Sequence, residues 1–246
     1  RLLLPARSAC LRRIIRRAPP PSSPAKQVDF CCFLCYTYFK YGNQAGVNMD
    51  KIIDKNTWQR KEIFDFFSGV SNPFYAVTFR QDVTALKNFC KTNQISFYYG
   101  LIYLCCKALL EVPEFSYRIR GNTIVELEKQ IPSFTDMKKN SELFHIVIMP
   151  CEGSIIDFCK KAREISGKQD YFIDMTSQAD NLVYFSCLPW IETTAITNER
   201  DLASPIAKDD SIPRICWGKY TQENDRIYLG ISVEVNHRLI DGFHIG

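Results

Sequence analysis

The sequence predicts an α+β layered domain with a mixed β-sheet. Two observations lead there. Helix-patterned segments fall mostly before Pro113, while the rest is largely a succession of short strand-like runs, and no internal repeat replaces that order.

From Met49 onward the elements follow one another closely. Thr57 can cap a helix through "WQRKEIFDFF", with Trp58, Phe64 and Phe67 recurring at helical spacing. "PFYAVTFRQDV" is rich in aromatic and β-branched residues and reads as a strand, after which Asp82 can cap "VTALKNFCKTN". Ser96 opens an apolar helix, "FYYGLIYLCCKALLEV", that ends near Pro113. "FSYRIRGNTIVELE" is a hairpin about Gly121-Asn122, a pair suited to a tight turn with positive φ. "LFHIVIMP" is a strand, and "SIIDFCKKAREI" a helix with one apolar stripe and one charged face. "NLVYFSCLPW", "RICWGKY" and "RIYLGISVEVN" complete the strand-rich half.

The chain has 246 residues, enough for one full core, and its 46% apolar and 24% charged residues match an ordinary globular protein. The net charge of +4 misleads. Residues 1–48 carry eight basic side chains and one acid, leaving 23 basic and 26 acidic groups, a net of −3, for residues 49–246. That excludes a basic nucleic-acid-binding face on the main body as an expectation from charge.

Residues 1–48 read as a basic, proline-containing extension, disordered or artefactual, with the composition of a mitochondrial-type targeting segment or of an artefact ahead of Met49. The apolar run 30–39 is too short for a membrane-spanning helix. Eleven cysteines, an odd number in a chain of this size, read as reduced thiols in a reducing, cytoplasmic setting. Cys32 and Cys35 form a CxxC with no second pair and no nearby histidine, so no zinc or other metal site is expected.

Of three histidines, His145 is flanked by apolar residues on a strand and reads as structural, and His244 falls in the first turn of a helix. His237 ends an alternating strand and is followed by Asp241 and Gly242, so a rigid strand end presents it to a loop. A neutral imidazole there can take a proton from an alcohol.

"VNHRLIDGFHIG" resembles the HHxxxDGFH signature of the chloramphenicol acetyltransferase family. "WQRKEIF", "VPEFSYRIRGNTIVELE", "PSFT", "FSCLPW" and "WGKY" resemble other segments of that family in the same order, from about Met49 to Gly246. The resemblance implies a two-layer α/β sandwich and a homotrimer with active sites between subunits. It also implies acetyl-coenzyme A as co-substrate, a small-molecule hydroxyl acceptor such as chloramphenicol, an antibiotic-resistance activity, and no metal, membrane or nucleic-acid partner. His237 matches the general base and Ser186 the serine that donates to the oxyanion. Asp241 and Arg60 match a salt bridge that supports the catalytic loop, although Asp241 can equally be read as a helix N-cap. Phe66, Phe67 and Phe134 match apolar substrate-wall positions, and any of them can equally be core.

The chain departs from the family at three of these places. Asn236 replaces the first histidine of the pair, Cys216 a threonine that orders water, and Phe67 a tyrosine. A thiol is a poorer hydrogen-bonding group than a hydroxyl, so lower turnover is expected. The family continues into a C-terminal helix beyond the point matching Gly246, so a chain lacking that helix is a further expectation. Two other readings are a dihydrolipoyl acyltransferase-like catalytic domain, which would need a lipoyl domain and linker upstream, and a non-catalytic truncated homologue.

Overall fold

The computed structural model describes residues 50–246 apart from residues 178 and 205. The extension at residues 1–48 and its CxxC lie outside the described residues.

The larger sheet has seven strands: β2 (Phe74–Asp82), β5 (Ile131–Met137), β6 (Phe144–Ile148), β7 (Leu182–Leu188), β8 (Arg214–Gly218), β9 (Thr221–Glu223) and β10 (Arg226–Asn236). Their order is β2-β10-β8-β7-β5-β6, with β9 pairing β10. The pairs β5–β7 and β7–β8 are parallel and the rest antiparallel, so the expected mixed sheet is present. A smaller sheet joins β1 (Lys51–Ile53) to the hairpin of β3 (Tyr117–Arg120) and β4 (Thr123–Glu126). At that hairpin's turn the positive φ falls on Gly121, where no Cβ resists it.

The helices are α1 (Lys61–Ser68), α2 (Thr84–Thr92), α3 (Phe97–Leu109), α4 (Ile155–Lys168) and the short α5 (Gly242–Ile245). Ser96 caps α3 by accepting from the Tyr99 amide, and Ser154 and Asp157 form a capping box on α4. Asp82 accepts from the Thr84 amide and hydroxyl at the start of α2, and these bonds, the hydroxyl's first, hold its pKa down to about 2. Thr57 does not cap α1. Its hydroxyl turns back to Asp54, whose carboxylate takes the Asn56 amide, and this turn delays the helix to Lys61.

Register divides the large sheet into two chemical faces. Val77, Val233, Ile215, Phe185, Phe134 and Val147 pair in one row across six strands, and all but Val77 join the core beneath α2, α3 and α4. Shifting by one residue gives Thr78, Ser232, Cys216 and Ser186, a polar row on the opposite face. The 191–200 segment crosses that face. Ile196 donates its amide to Ser232, Asn198 donates to Glu234, and Arg200 pairs with Glu234 at 2.7 Å.

Two polar anchors sit within the core. The Arg118 guanidinium, fully buried, donates to the carbonyls of Phe115, Tyr117, Asp180 and Leu182, tying the small sheet to β7. His145 is structural, as its strand setting suggests: Nε2 lies 2.9 Å from Ser166 Oγ, which donates to Asp136, and Asp136 also accepts from Tyr99. Burial pushes the His145 pKa down, so the ring is neutral in the fold.

Candidate active site

Strand β10 ends at Asn236, and the next residue is held in line because the His237 amide donates to the Pro73 carbonyl at 2.8 Å. The His237 ring is sandwiched. Tyr75 of β2 stacks on it at 4.3 Å with planes 10° apart, and Phe67 of α1 covers the other side at 4.1 Å and 32°. Burial first, then the charge of Arg60, push the imidazole pKa below its ordinary value, against a smaller upward pull from Asp241. The result is a neutral, oriented and half-buried base at neutral pH.

Arg60 holds the loop that follows. Its Nη1 donates to Asp241 Oδ2 at 2.6 Å, Nη2 to the His237 carbonyl at 2.9 Å and Nε to the Arg238 carbonyl at 3.1 Å. The same carboxylate caps α5 by accepting from the Phe243 amide at 3.0 Å, while His244 Nδ1 accepts from the Asp241 amide. Asp241 thus pairs with Arg60 and caps α5 at the same time. Burial acts to raise its pKa, but the bond from Arg60 and the other nearby donors keep it below the ordinary carboxylate value.

Two further residues complete this end of the molecule. Asn236 donates to the carbonyls of Lys208 and Asp210 and accepts from the Arg238 amide, so it pins the 207–210 turn against the loop. Arg238 pairs with Asp209 at 2.8 Å, donates to Ser68 and lies over the Phe64 ring. Neither these partners nor the Tyr75 stack could be found from the motif, because each lies on a segment distant in sequence.

Of the remaining expected residues, Phe66 neighbours the His237 sandwich through Phe67, and the others lie elsewhere. Phe66 stands 70% exposed, with its ring edge-on to Phe67 at 5.1 Å. Ser186 and Cys216 are neighbours in the polar row, and Cys216 donates to Asn198 Oδ1 at 3.2 Å. Phe134 is fully enclosed, packed against Tyr98 and Tyr99 of α3. That leaves it no face for a ligand, and it serves here as core instead of substrate wall.

The row that holds Ser186 crosses β10 at Ser232, five residues before His237. Five residues of strand span about 16 Å, and β7 lies two strand spacings, about 10 Å, to the side. Within one chain the proposed base and oxyanion donor are thus two separate half-sites. Among the described residues no group of three or more His, Cys, Asp or Glu is arranged to hold a metal ion, and no helix is long and apolar enough to cross a membrane.

A mixed sheet of this kind is found in solved acyltransferases. The chain superimposes on a chloramphenicol acetyltransferase with a TM-score of 0.72 at 25% identity, over 80% of this chain and 94% of the other. A probable dihydrolipoamide acetyltransferase from Listeria monocytogenes shares the fold at 0.56 and 16% identity, over 80% and 90%. The chain belongs to the chloramphenicol acetyltransferase family, whose sequence profile matches residues 47–246. Similar proteins include chloramphenicol acetyltransferase 2 of Escherichia coli, 27% identical over 78% of this chain and 90% of its own length. The chloramphenicol acetyltransferase of Bacillus pumilus is 26% identical over 80% and 89%. These relatives support acyl transfer as the class of reaction.

Proposed function

We propose that the protein is an acetyl-coenzyme A-dependent O-acetyltransferase acting on a hydroxyl of chloramphenicol or a similar small alcohol, in a homotrimer with sites between subunits. The observation that carries this reading is the His237 imidazole, lowered in pKa and fixed between Phe67 and Tyr75. In this reading His237 takes the proton of the acceptor hydroxyl as that oxygen attacks the thioester carbonyl. Ser186 of a neighbouring subunit donates to the tetrahedral oxyanion, an interaction present only as charge develops and worth about 3 kcal/mol. Collapse expels the coenzyme A thiolate, which recovers the proton from His237. Phe66 and Phe67 supply the apolar side of the acceptor site, while Arg60 and Asp241 hold the loop without entering the chemistry.

The separation of the two half-sites in one chain supports the inter-subunit arrangement, and it gives the test. His237→Ala and Ser186→Ala should each lower coenzyme A release from acetyl-coenzyme A and chloramphenicol by about 10²–10⁴-fold. Co-expressed in equal amounts, the two inactive chains should recover activity, because about a quarter of the sites in a random trimer combine one intact half from each. No recovery would reject the shared site. Undiminished release by His237→Ala would reject the base, and release with other alcohols but not chloramphenicol would replace the acceptor.

A further inference from the structure

Cys106 and Cys151 line the same small pocket, which contains neither His237 nor Ser186. Cys106 lies in the last turn of α3 and is followed by Lys107, whereas Cys151 lies just beyond β6, next to Pro150. Both are half-buried free thiols, and both line one small pocket with Lys107, Gln130 and Pro132.

We propose that Cys106 and Cys151 form a peroxide-sensitive thiol pair that closes reversibly to a disulfide. The surroundings separate this pair from three other cysteines. Burial pushes the thiols of Cys90, Cys105 and Cys159 up to about 12, which keeps them protonated and unreactive. Cys151 moves the other way, because the Cys106 S–H donates to its sulfur and Lys107 adds positive charge nearby. Its thiolate attacks one oxygen of the peroxide, the O–O bond breaks, and hydroxide leaves and takes up a proton. Cys151 is now a sulfenic acid and the peroxide is reduced to water. The Cys106 sulfur then attacks the sulfenyl sulfur, displacing hydroxide, which leaves as water with the Cys106 proton. Two thiols and one hydrogen peroxide give one disulfide and two waters, and a dithiol reductant reverses the change.

The test uses the reduced full chain, treated with a slight excess of hydrogen peroxide, alkylated under denaturing conditions and digested with trypsin. Cleavage after lysine releases residues 92–107 and 140–160 as separate peptides, and these should appear joined, two hydrogens lighter than their sum, until dithiothreitol parts them. Each peptide carries a second cysteine, so Cys105→Ala and Cys159→Ala should keep the link, while Cys106→Ser and Cys151→Ser should abolish it. Dimedone should capture a sulfenic acid at Cys151 in the Cys106→Ser chain. In the unaltered folded chain Cys151 should alkylate at least about tenfold faster than Cys105 or Cys159, a comparison that needs no variant to fold. A link that survives either serine substitution, or equal alkylation rates, would overturn the proposal.

Discussion

Tyr75 and His237 stack nearly parallel, 10° apart, with ring centroids at 4.3 Å. Strand β2 thereby sets the plane of a side chain 162 residues away, and with Phe67 on the other side the ring is restrained from both faces. Tyr75→Ala should lower kcat by about 10²-fold with little change in KM, since the base loses orientation while the acceptor wall remains. Tyr75→Phe keeps the stack and should stay near the parent rate. A steady-state comparison of the two checks the point; equal rates in both would deny the stack a positioning role.

Acyl transfer should rise with pH and then level off. A general base works unprotonated, and the fold lowers the His237 pKa below 6.5, so the midpoint in kcat/KM should fall below that value. Asp241 raises this pKa slightly, hence Asp241→Asn should move the midpoint lower still. A pH profile with a midpoint above 6.5 would contradict the environment described for the imidazole.

Arg60 satisfies three acceptors with one guanidinium. Arg60→Ala should destabilise the fold by about 3 kcal/mol, the lower end for breaking a buried pair, because Asp241 keeps 29% side-chain exposure. Arg60→Lys should recover only part of this, since a single ammonium cannot reproduce the planar fork. Urea midpoints of the three chains measure the difference.

Gly218 and Gly230 make room for the segment crossing the polar face. A Cβ on Gly218 would lie 2.5 Å from the Ile191 carbonyl and Thr193 Oγ1, and one on Gly230 2.6 Å from the Thr193 carbonyl. Alanine at either position should cost about 1–3 kcal/mol by forcing that backbone away. Gly167, in α4 with open space around its Cα, is the opposite case, and Gly167→Ala should stabilise by about 0.5–1 kcal/mol. Thermal melts that move all three the same way would reject the packing argument.

Most helices and strands were legible because their signals are local. Ser96 and Ser154 cap helices from the sequence positions that announce them, and the alternating run of β10 occupies the strand that its pattern predicts. The exception is instructive: Thr57 has the residue type of a cap, but Asp54 captures it three residues away. In the site, the spacing of His237, Asp241 and Gly242 was legible for the same reason, since one strand end and one short loop carry all three.

The sequence by itself determined which chain segments become helices and strands, and which histidine stands where a strand gives way to a loop. These follow from side-chain periodicity and from bonds spanning a few residues. Only the tertiary structure decided that Asp241 both caps α5 and accepts from Arg60, that Tyr75 and Phe67 enclose the imidazole, and that Phe134 belongs to the core. It also decided that Ser186 and His237 lie in different regions of one chain. Those relations depend on sheet order and register, in which strands far apart in sequence become neighbours and a shift of one residue exchanges the two faces.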